Sequence, residues 1–256
     1  MQDRTHQIGP DSILCFATVR NEMVRLPYFL EHYRKLGVDH FLFVDNDSDD
    51  GTAAFFAKQT DVSVWSTKHS YRLARFGMDW LGWLQWQYGQ DHWCLTVDAD
   101  ELLVYSQCDS RDLRALTTYL DTQNVTAFGA LMLDMYPKGS LTNTGYEQGQ
   151  NPITALGWFD GDGYRHRIHP VFGNHWIQGG VRDRVFFHAE PARAPGAVSR
   201  PVPTALACPV PSSRTASPDQ TEKTAYPLPP SRSCPPLARR PNQDRQERPP
   251  AALRTR

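Results

Sequence analysis

The most constraining feature of this sequence is an apolar segment that ends in two aspartates separated by one small residue. The segment Leu95–Val97 leads directly into Asp98, Ala99 and Asp100. Side chains two residues apart in a strand point to the same side, so the two carboxylates are predicted to project together, roughly 6–7 Å apart along the backbone. Carboxylates held in this way repel each other. A hard divalent cation that carries a phosphate group would relieve the repulsion.

The order of the apolar segments predicts an α/β fold with a mostly parallel sheet flanked by helices. Continuous apolar runs are typical of strands buried on both faces, and strands that alternate with helices favour parallel pairing. We predict strands over 13–19, 40–44, 62–66 and 127–133, a fourth strand that ends at 98, and helices over 26–36, 52–58, 72–88 and 109–122. Loops are expected over 136–165, and short strands over 166–171 and 185–188.

Three polar clusters follow predicted strands, at the sheet edge where parallel sheets bind ligands. They are Arg20-Asn21-Glu22, Asp45-Asn46-Asp47-Ser48-Asp49-Asp50 and Asp98-Ala99-Asp100-Glu101. The second cluster has five carboxylates or hydroxyls in six positions, whereas helix capping needs one such residue. Their oxygens can bind the N–H of a base or ribose hydroxyls, and an arginine fork suits a base edge or a diphosphate. Capping and a solvated loop are the alternatives.

The histidines and a glycine-arginine segment near residue 180 are weaker candidates. One of His166, His169, His175 and His188 could complete a metal shell beside Asp100, although structural or solvated roles are commoner for such histidines. The segment Gly179-Gly180-Val181-Arg182-Asp183-Arg184 could clamp a diphosphate or form surface ion pairs. The aromatic residues of the helix over 72–88 are expected to pack in the core rather than to stack on a sugar.

Charge and proline content divide the chain near residue 190. Beyond it lie eleven Lys and Arg, four Asp and Glu, and fifteen of the 20 prolines. The whole chain has a net charge of −1, so the first 190 residues carry −8, which argues against nucleic-acid binding. We predict one domain over 12–190 and a disordered tail over 191–256. A segment that binds acidic partners, or the product of a shifted reading frame, is the alternative for the tail.

Nothing in the sequence predicts a transmembrane segment. There is no apolar run of membrane-spanning length, and the first residues lack an apolar signal core. We expect a cytoplasmic protein, either free or peripheral to the inner face of the membrane. The five cysteines have no paired spacing, which favours reduced thiols over a zinc site or disulfides.

Taken together, the motifs resemble those of GT-A fold glycosyltransferases, and in particular the family 2-like enzymes that contain a DxD motif. The likeness covers about residues 12–188 and has a GT-A, Rossmann-like sheet as its expected fold. It rests on Val19-Arg20-Asn21-Glu22, Asp45-Asn46-Asp47-Ser48-Asp49-Asp50-Gly51-Thr52, Asp98-Ala99-Asp100 and Gly179-Gly180-Val181-Arg182. By this resemblance a further C-terminal part would close the acceptor site, and we expect it to be missing or replaced by the tail.

The resemblance implies transfer of a sugar from a nucleotide-sugar donor, often a UDP-sugar, with Mn²⁺ or Mg²⁺ as cofactor. The acceptor hydroxyl would belong to a glycan, a lipid-linked molecule or a protein, and the anomeric centre would be inverted with the help of a carboxylate base. The nucleotide would contact Arg20, Asn21, Glu22, Asp45, Asn46, Asp47 and Asp98, and the metal would contact Asp98 and Asp100. Asp160, Asp162 and Asp183 are the candidates for the base.

Two other readings of the same residues stay open. The chain could be a truncated GT-A domain that binds nucleotide without catalysis or is otherwise inactive. It could also be a phosphohydrolase in which Asp98 attacks phosphorus and Asp100 moves the proton, since that chemistry also uses a strand that ends in two aspartates.

Overall fold

A computed structural model describes residues 2–168, 170, 175–187 and 205–207, and it shows helices on both sides of a mostly parallel sheet. The strands are β1 Leu14–Val19, β2 His40–Asp45, β3 Val62–Ser66, β4 Cys94–Thr96, β5 Ala127–Gly129, β6 Arg165–Ile168, β7 His175–Gln178 and β8 Ala205–Ala207. The α-helices are α1 Leu26–Lys35, α2 Thr52–Ala57, α3 Met78–Tyr88, α4 Leu113–Thr122, α5 Pro152–Ala155 and α6 Gly180–Arg182. The predicted α/β class is confirmed.

The strand order of the main sheet defines where a ligand would bind. The order is β3-β2-β1-β4-β8-β5, and β3, β2, β1 and β4 are parallel. β8 is antiparallel to both β4 and β5. The chain proceeds from β1 outward to β3 and then returns to the other side of β1 as β4. The strand order therefore reverses between β1 and β4, and α/β sheets bind ligands beyond the carboxyl ends of the strands at such a reversal.

The continuous apolar run of β1 is explained by two cores, one on each face of the sheet. Leu14 and Phe16 pack in the core that contains Trp80 of α3. Cys15 and Ala17 pack in the core that contains buried residues of α1, α2 and α4. Alternate side chains of the strand thus enter opposite cores, which explains why both of its faces are mostly apolar.

One buried tyrosine of α1 ties that helix to the segment after β4. The hydroxyl of Tyr33 donates a hydrogen bond to the carbonyl oxygen of Glu101 at 2.9 Å and accepts one from the buried amide of Leu103 at 3.0 Å. His32 Nε2 lies 3.1 Å from the Leu103 carbonyl oxygen. These contacts fix the chain just after Asp98 and Asp100.

Several predicted elements differ from the structure at their boundaries: the helix predicted over 109–122 begins at Leu113, and the strand predicted over 127–133 ends at Gly129. The helix predicted over 72–88 begins only at Met78, because Arg75, Phe76 and Gly77 have φ values of 51°, 58° and 79°, which a right-handed helix cannot contain. The strand predicted to end at 98 ends at Thr96. The two aspartates therefore lie in the loop after the strand rather than in the strand itself.

The C-terminal part of the domain was predicted less well. The strand predicted over 185–188 is wrong in its described part, because Asp183–Phe187 forms a π-helical turn after α6. A short apolar run does not distinguish a strand from a helical turn by its pattern. β6 was expected, whereas β7 was not. Residues 188, 169 and 171–174 lie outside the described residues.

Three residues of the predicted tail take part in the main sheet. Ala205–Ala207 form β8, between β4 and β5. The remaining residues of 191–256 lie outside the described part of the chain, and the boundary near residue 190 stays a prediction. Among the described helices, none combines the length and the apolar character that a membrane span requires.

Replacing Tyr33 with phenylalanine should lower the free energy of unfolding by about 1–3 kcal/mol, because the buried Leu103 amide would lose its acceptor. Urea denaturation of the two proteins measures the difference. Tyr28→Phe on the same helix is the matched control, since no hydrogen bond of the Tyr28 hydroxyl is recorded within the described residues. Equal losses in the two variants would contradict the role of the Tyr33 hydroxyl.

Candidate functional site

The two aspartates after β4 project from a tight turn. The Glu101 amide donates to the carbonyl oxygen of Asp98 at 3.0 Å, which closes a four-residue turn over 98–101. The Glu101 carboxylate accepts from the Asp98 amide at 3.1 Å. Asp98 and Asp100 are exposed, whereas Ala99 between them is 7% exposed. The two carboxylates therefore face outward and Ala99 faces inward, as predicted. A turn, and not a strand, produces this arrangement.

Like charges meet at this turn. Partial burial of the carboxyl, followed by the negative charges of Asp100 and Glu22, raises the pKa of Asp98 above its ordinary value. Glu22 follows β1, so the two strand ends on either side of the reversal bring carboxylates together. The ionised form of Asp98 is therefore disfavoured in the protein alone, and a bound cation would offset that penalty.

Two side chains that the sequence did not single out, Arg25 and Tyr71, lie near the acidic turn, and a third, Tyr146, lies near Arg25. Burial alone would lower the pKa of Arg25, but the hydrogen bond to Glu22 and the negative charges of Glu22 and Asp100 raise it above its ordinary value. Burial, together with Asp98 and Asp100, raises the pKa of Tyr71. The Tyr146 hydroxyl interacts electrostatically with Arg25.

These three residues had no distinguishing sequence signal. Arg25 precedes a helix, Tyr71 stood at the edge of a predicted helix, and Tyr146 lay in a predicted loop. Only the folded chain brings Arg25 and Tyr71 to the acidic turn and Tyr146 to Arg25.

A glycine fixes the position of Tyr71 against β1. Gly77 has φ of +79°, and a Cβ at this position would lie 2.8 Å from Thr18 Oγ1 and 2.9 Å from Tyr71 Cε2. Any side chain would thus collide with both neighbours. The loop before α3 is thereby held against the carboxyl end of β1, on the side where the acidic turn lies.

The loops after β1 and β2 are joined by hydrogen bonds between the first two polar clusters. The Asn21 amide donates to Ser48 Oγ at 2.9 Å, and Asn21 Oδ1 accepts from the Asp49 amide at 2.9 Å. The Met23 amide donates to Asp50 Oδ2 at 2.8 Å. The two loops therefore form one continuous surface beside the acidic turn.

Asp45 and Asn46 are buried and use polar atoms inside the protein. Asp45 Oδ1 accepts from Ser48 Oγ at 2.6 Å and from the Ser48 amide at 3.1 Å. Asn46 Nδ2 donates to the carbonyl oxygens of Thr67 and His69, both at 3.0 Å. Their exposures are 5% and 4%. This geometry favours a role in holding the loops, and contact with a base or ribose stays a prediction for both residues.

The other predicted nucleotide contacts are more accessible. Arg20 is exposed at the end of β1. Glu22 forms an ion pair with Arg25 at 2.5 Å, and the exposed Asp47 forms one with Lys68 at 3.2 Å. Both carboxylates therefore bring a cationic side chain to the edge of the sheet.

Two of the three candidate bases are engaged in ion pairs. Hydrogen bonds from Arg184 and Tyr136 lower the pKa of Asp160 below its ordinary value, and Arg184 contacts both of its carboxylate oxygens at 3.0 Å. Asp183 pairs with Arg165 at 2.9 Å. Asp162 is exposed, and no ion pair of its carboxylate is recorded among the described residues. A carboxylate that works as a base is favoured by a raised pKa, which makes Asp160 the poorest of the three.

The segment after Gly179 forms surface ion pairs. Arg182 pairs with Asp134 at 2.6 Å, and Arg184 pairs with Asp160 at 3.0 Å. This arrangement matches the surface alternative considered from the sequence. A diphosphate could reach either guanidinium only by competing with a carboxylate.

The donor set of the acidic turn suits a hard cation bound together with a phosphate. Within the described ranges no group of three His, Cys, Asp or Glu side chains is arranged to hold a metal. Mg²⁺ and similar ions commonly use one or two protein carboxylates, with substrate phosphates and water as the other ligands. Asp98 and Asp100 fit that pattern, with Glu22 as a further carboxylate nearby.

Comparison with known proteins gave no assignment. No protein-family model matches the chain, and no curated protein is significantly similar to it.

Replacing Asp98 with asparagine should stabilise the metal-free protein at pH 7. The folded-state pKa of Asp98 is raised, so folding disfavours the ionised form, and stability is lost as the pH rises through the ordinary aspartate value of about 3.9. The increase in the free energy of unfolding of the variant should therefore be largest at neutral pH and should shrink toward pH 4. Urea denaturation in the presence of a chelator measures it. A variant that is less stable than the parent at pH 7, while the exposed Asp109→Asn is unchanged, would contradict the penalty that burial and the neighbouring carboxylates place on ionised Asp98.

Proposed function

We propose that this protein is a metal-dependent glycosyltransferase that moves a sugar from a nucleotide diphosphate donor, a UDP-sugar, to an acceptor hydroxyl with inversion. The observation that carries the proposal is the exposed acidic turn at the reversal of strand order between β1 and β4. Carboxylates at this place suit a cation that neutralises a diphosphate. The resemblance of three motifs to the GT-A family 2-like enzymes supports the same activity.

Each group around the turn has a distinct part in this proposal. Asp98 and Asp100 would hold Mn²⁺ or Mg²⁺, which would stabilise the negative charge on the departing diphosphate. Arg20, at the end of β1, would contact the base or the diphosphate through its planar guanidinium. Arg25 would balance the charge of Glu22 and Asp100 while the nucleotide is bound.

The surface formed by the first two clusters would carry the nucleoside. Asn21 and Asp50 hold that surface together through the bonds to Ser48, Asp49 and Met23. Asp47, whose partner Lys68 lies on the rim, is the most exposed predicted contact for ribose hydroxyls in this loop. Transfer also requires a carboxylate that takes the proton of the acceptor hydroxyl. Asp162 is our candidate, because Asp160 and Asp183 are paired with arginines.

Nucleotide binding should require both the cation and Asp100. A thermal-shift series with UDP, GDP, ADP and CDP, each with and without Mn²⁺, should show stabilisation by UDP that depends on Mn²⁺. The shift corresponds to about 2.7 kcal/mol when the ligand is present at 100 times its Kd. Asp100→Asn should abolish the shift and retain the fold, whereas Asp109→Asn should keep the shift. Equal UDP affinity in Asp100→Asn and the parent protein, measured by calorimetry, would refute the site.

The same series separates the other two interpretations. Stabilisation by beryllofluoride instead of UDP, with turnover of an aryl phosphate, would support a phosphohydrolase with Asp98 as the nucleophile. Manganese-dependent UDP binding without release of sugar from any UDP-sugar would support an inactive GT-A domain. Slow release of sugar from one UDP-sugar would support the transferase and identify its donor.

A further inference from the structure

A pair of histidines lies on the two-stranded ribbon formed by β6 and β7. The register places His166 opposite Ile177 and Ile168 opposite His175, so the histidines are diagonal neighbours on one face. Nε2 of His166 lies 2.6 Å from Nδ1 of His175. Both side chains are exposed. This pair lies on a different sheet from the acidic turn.

The two rings meet edge to edge with a nitrogen of each at the contact. Their centroids are 4.8 Å apart and their planes are inclined by 19°, whereas the two nitrogens are much closer than the centroids. In the hydrogen-bonded pair, one nitrogen donates its N–H and the other accepts with its lone pair. A single proton therefore joins two potential metal ligands.

We propose that His166 and His175 bind a borderline divalent transition-metal ion, of the class of Zn²⁺ and Cu²⁺, between the two contacting nitrogens. The N–H of the donor imidazole moves to the other nitrogen of the same ring, so that both contacting nitrogens offer lone pairs to the metal. Imidazole nitrogen is a preferred ligand of these ions. Zinc–nitrogen bonds of about 2.0–2.1 Å with tetrahedral angles require two ligand nitrogens roughly 3.3 Å apart. The pair must therefore open by less than about 1 Å, which exposed rings achieve by rotation.

The charges on the ribbon permit a cation at this position. Ile168 and Ile177 share the face of the histidines, and both are uncharged. Arg165 and Arg167 lie on the opposite face by the alternation of the strand, and Arg165 is neutralised by Asp183 at 2.9 Å. Within β6 and β7, no arginine or lysine shares the face of the pair.

The pair and the acidic turn select different metals. Carboxylates favour hard ions such as Mg²⁺ and Mn²⁺, whereas imidazoles favour zinc and copper. No third protein ligand is arranged beside the pair in the part of the chain that the structure describes, so water would fill the other positions. The histidine site is thus independent of the proposed transferase site.

Calorimetric titration of the full chain with zinc chloride tests the proposal. His166→Ala and His175→Ala should each weaken one binding event at least about tenfold, which is about 1.4 kcal/mol. The exposed His6→Ala is the matched control and should leave this event unchanged. Unchanged zinc affinity in both variants, or weaker zinc binding in only one of them, would overturn the proposal that both histidines bind the metal. Circular dichroism melting of each variant checks that it is folded.

Nitrogen-resolved NMR of the parent protein provides a second measurement that needs no variant. Zinc should shift the signals of Nε2 of His166 and Nδ1 of His175 together, and the effect should weaken as the pH is lowered from about 7.5 to about 5.5, since protons compete for the ligand nitrogens. Zinc shifts confined to other histidines would overturn the proposal. Asp100→Asn should keep zinc binding, and His166→Ala should keep manganese-dependent UDP binding, so failure at one site is distinguishable from failure at the other.

Discussion

The ionised carboxylate of Asp98, which burial and the neighbouring carboxylates both disfavour, is the constraint around which this end of the sheet is organised. Asp98 and Asp100 leave a turn that is closed by the hydrogen bond from the Glu101 amide to the Asp98 carbonyl oxygen. Buried Tyr33 then holds the next residues through Glu101 and Leu103. Burial, followed by the negative charges of Asp100 and Glu22, raises the pKa of Asp98 in the folded chain, whereas unfolding would return this carboxyl to water and separate it from Glu22. A bound cation would offset this destabilisation. Functional sites are commonly less stable without their ligand in this way.

The polar residues beside this turn divide into those that build the surface and those that face outward. Asn46 ties the loop after β2 to the loop after β3, and Asn21 ties the loop after β1 to the loop after β2. Together these hydrogen bonds make three separate loops behave as one platform. Arg20, Asp47 and Asp100 remain exposed on it. A rigid platform with a few exposed charged groups is what selective binding of a charged nucleotide requires, because less ordering is needed on binding.

Much of the fold could be predicted from the sequence, because β1 and β2 are apolar on both faces and their helices follow at regular spacing. The features of the fold that were not predicted depend on contacts between residues far apart in the sequence. The start of α3 depends on the fit of Gly77 against Thr18 and Tyr71, which no local pattern reveals. For the site, the positions of the acidic residues at strand ends were predictable, but the internal bonds of Asn46 were not. The same holds for Arg25, which reaches the acidic turn only through folding.

The central claim is that the acidic turn holds a cation that in turn holds a diphosphate. A crystal of the full chain soaked with Mn²⁺ and a UDP-sugar tests this most directly, because manganese can be located by its anomalous scattering. The account predicts one manganese peak in contact with carboxylate oxygens of Asp98 and Asp100 and with oxygens of the diphosphate. A bound nucleotide whose diphosphate lies elsewhere, with no manganese at these two carboxylates, would contradict it.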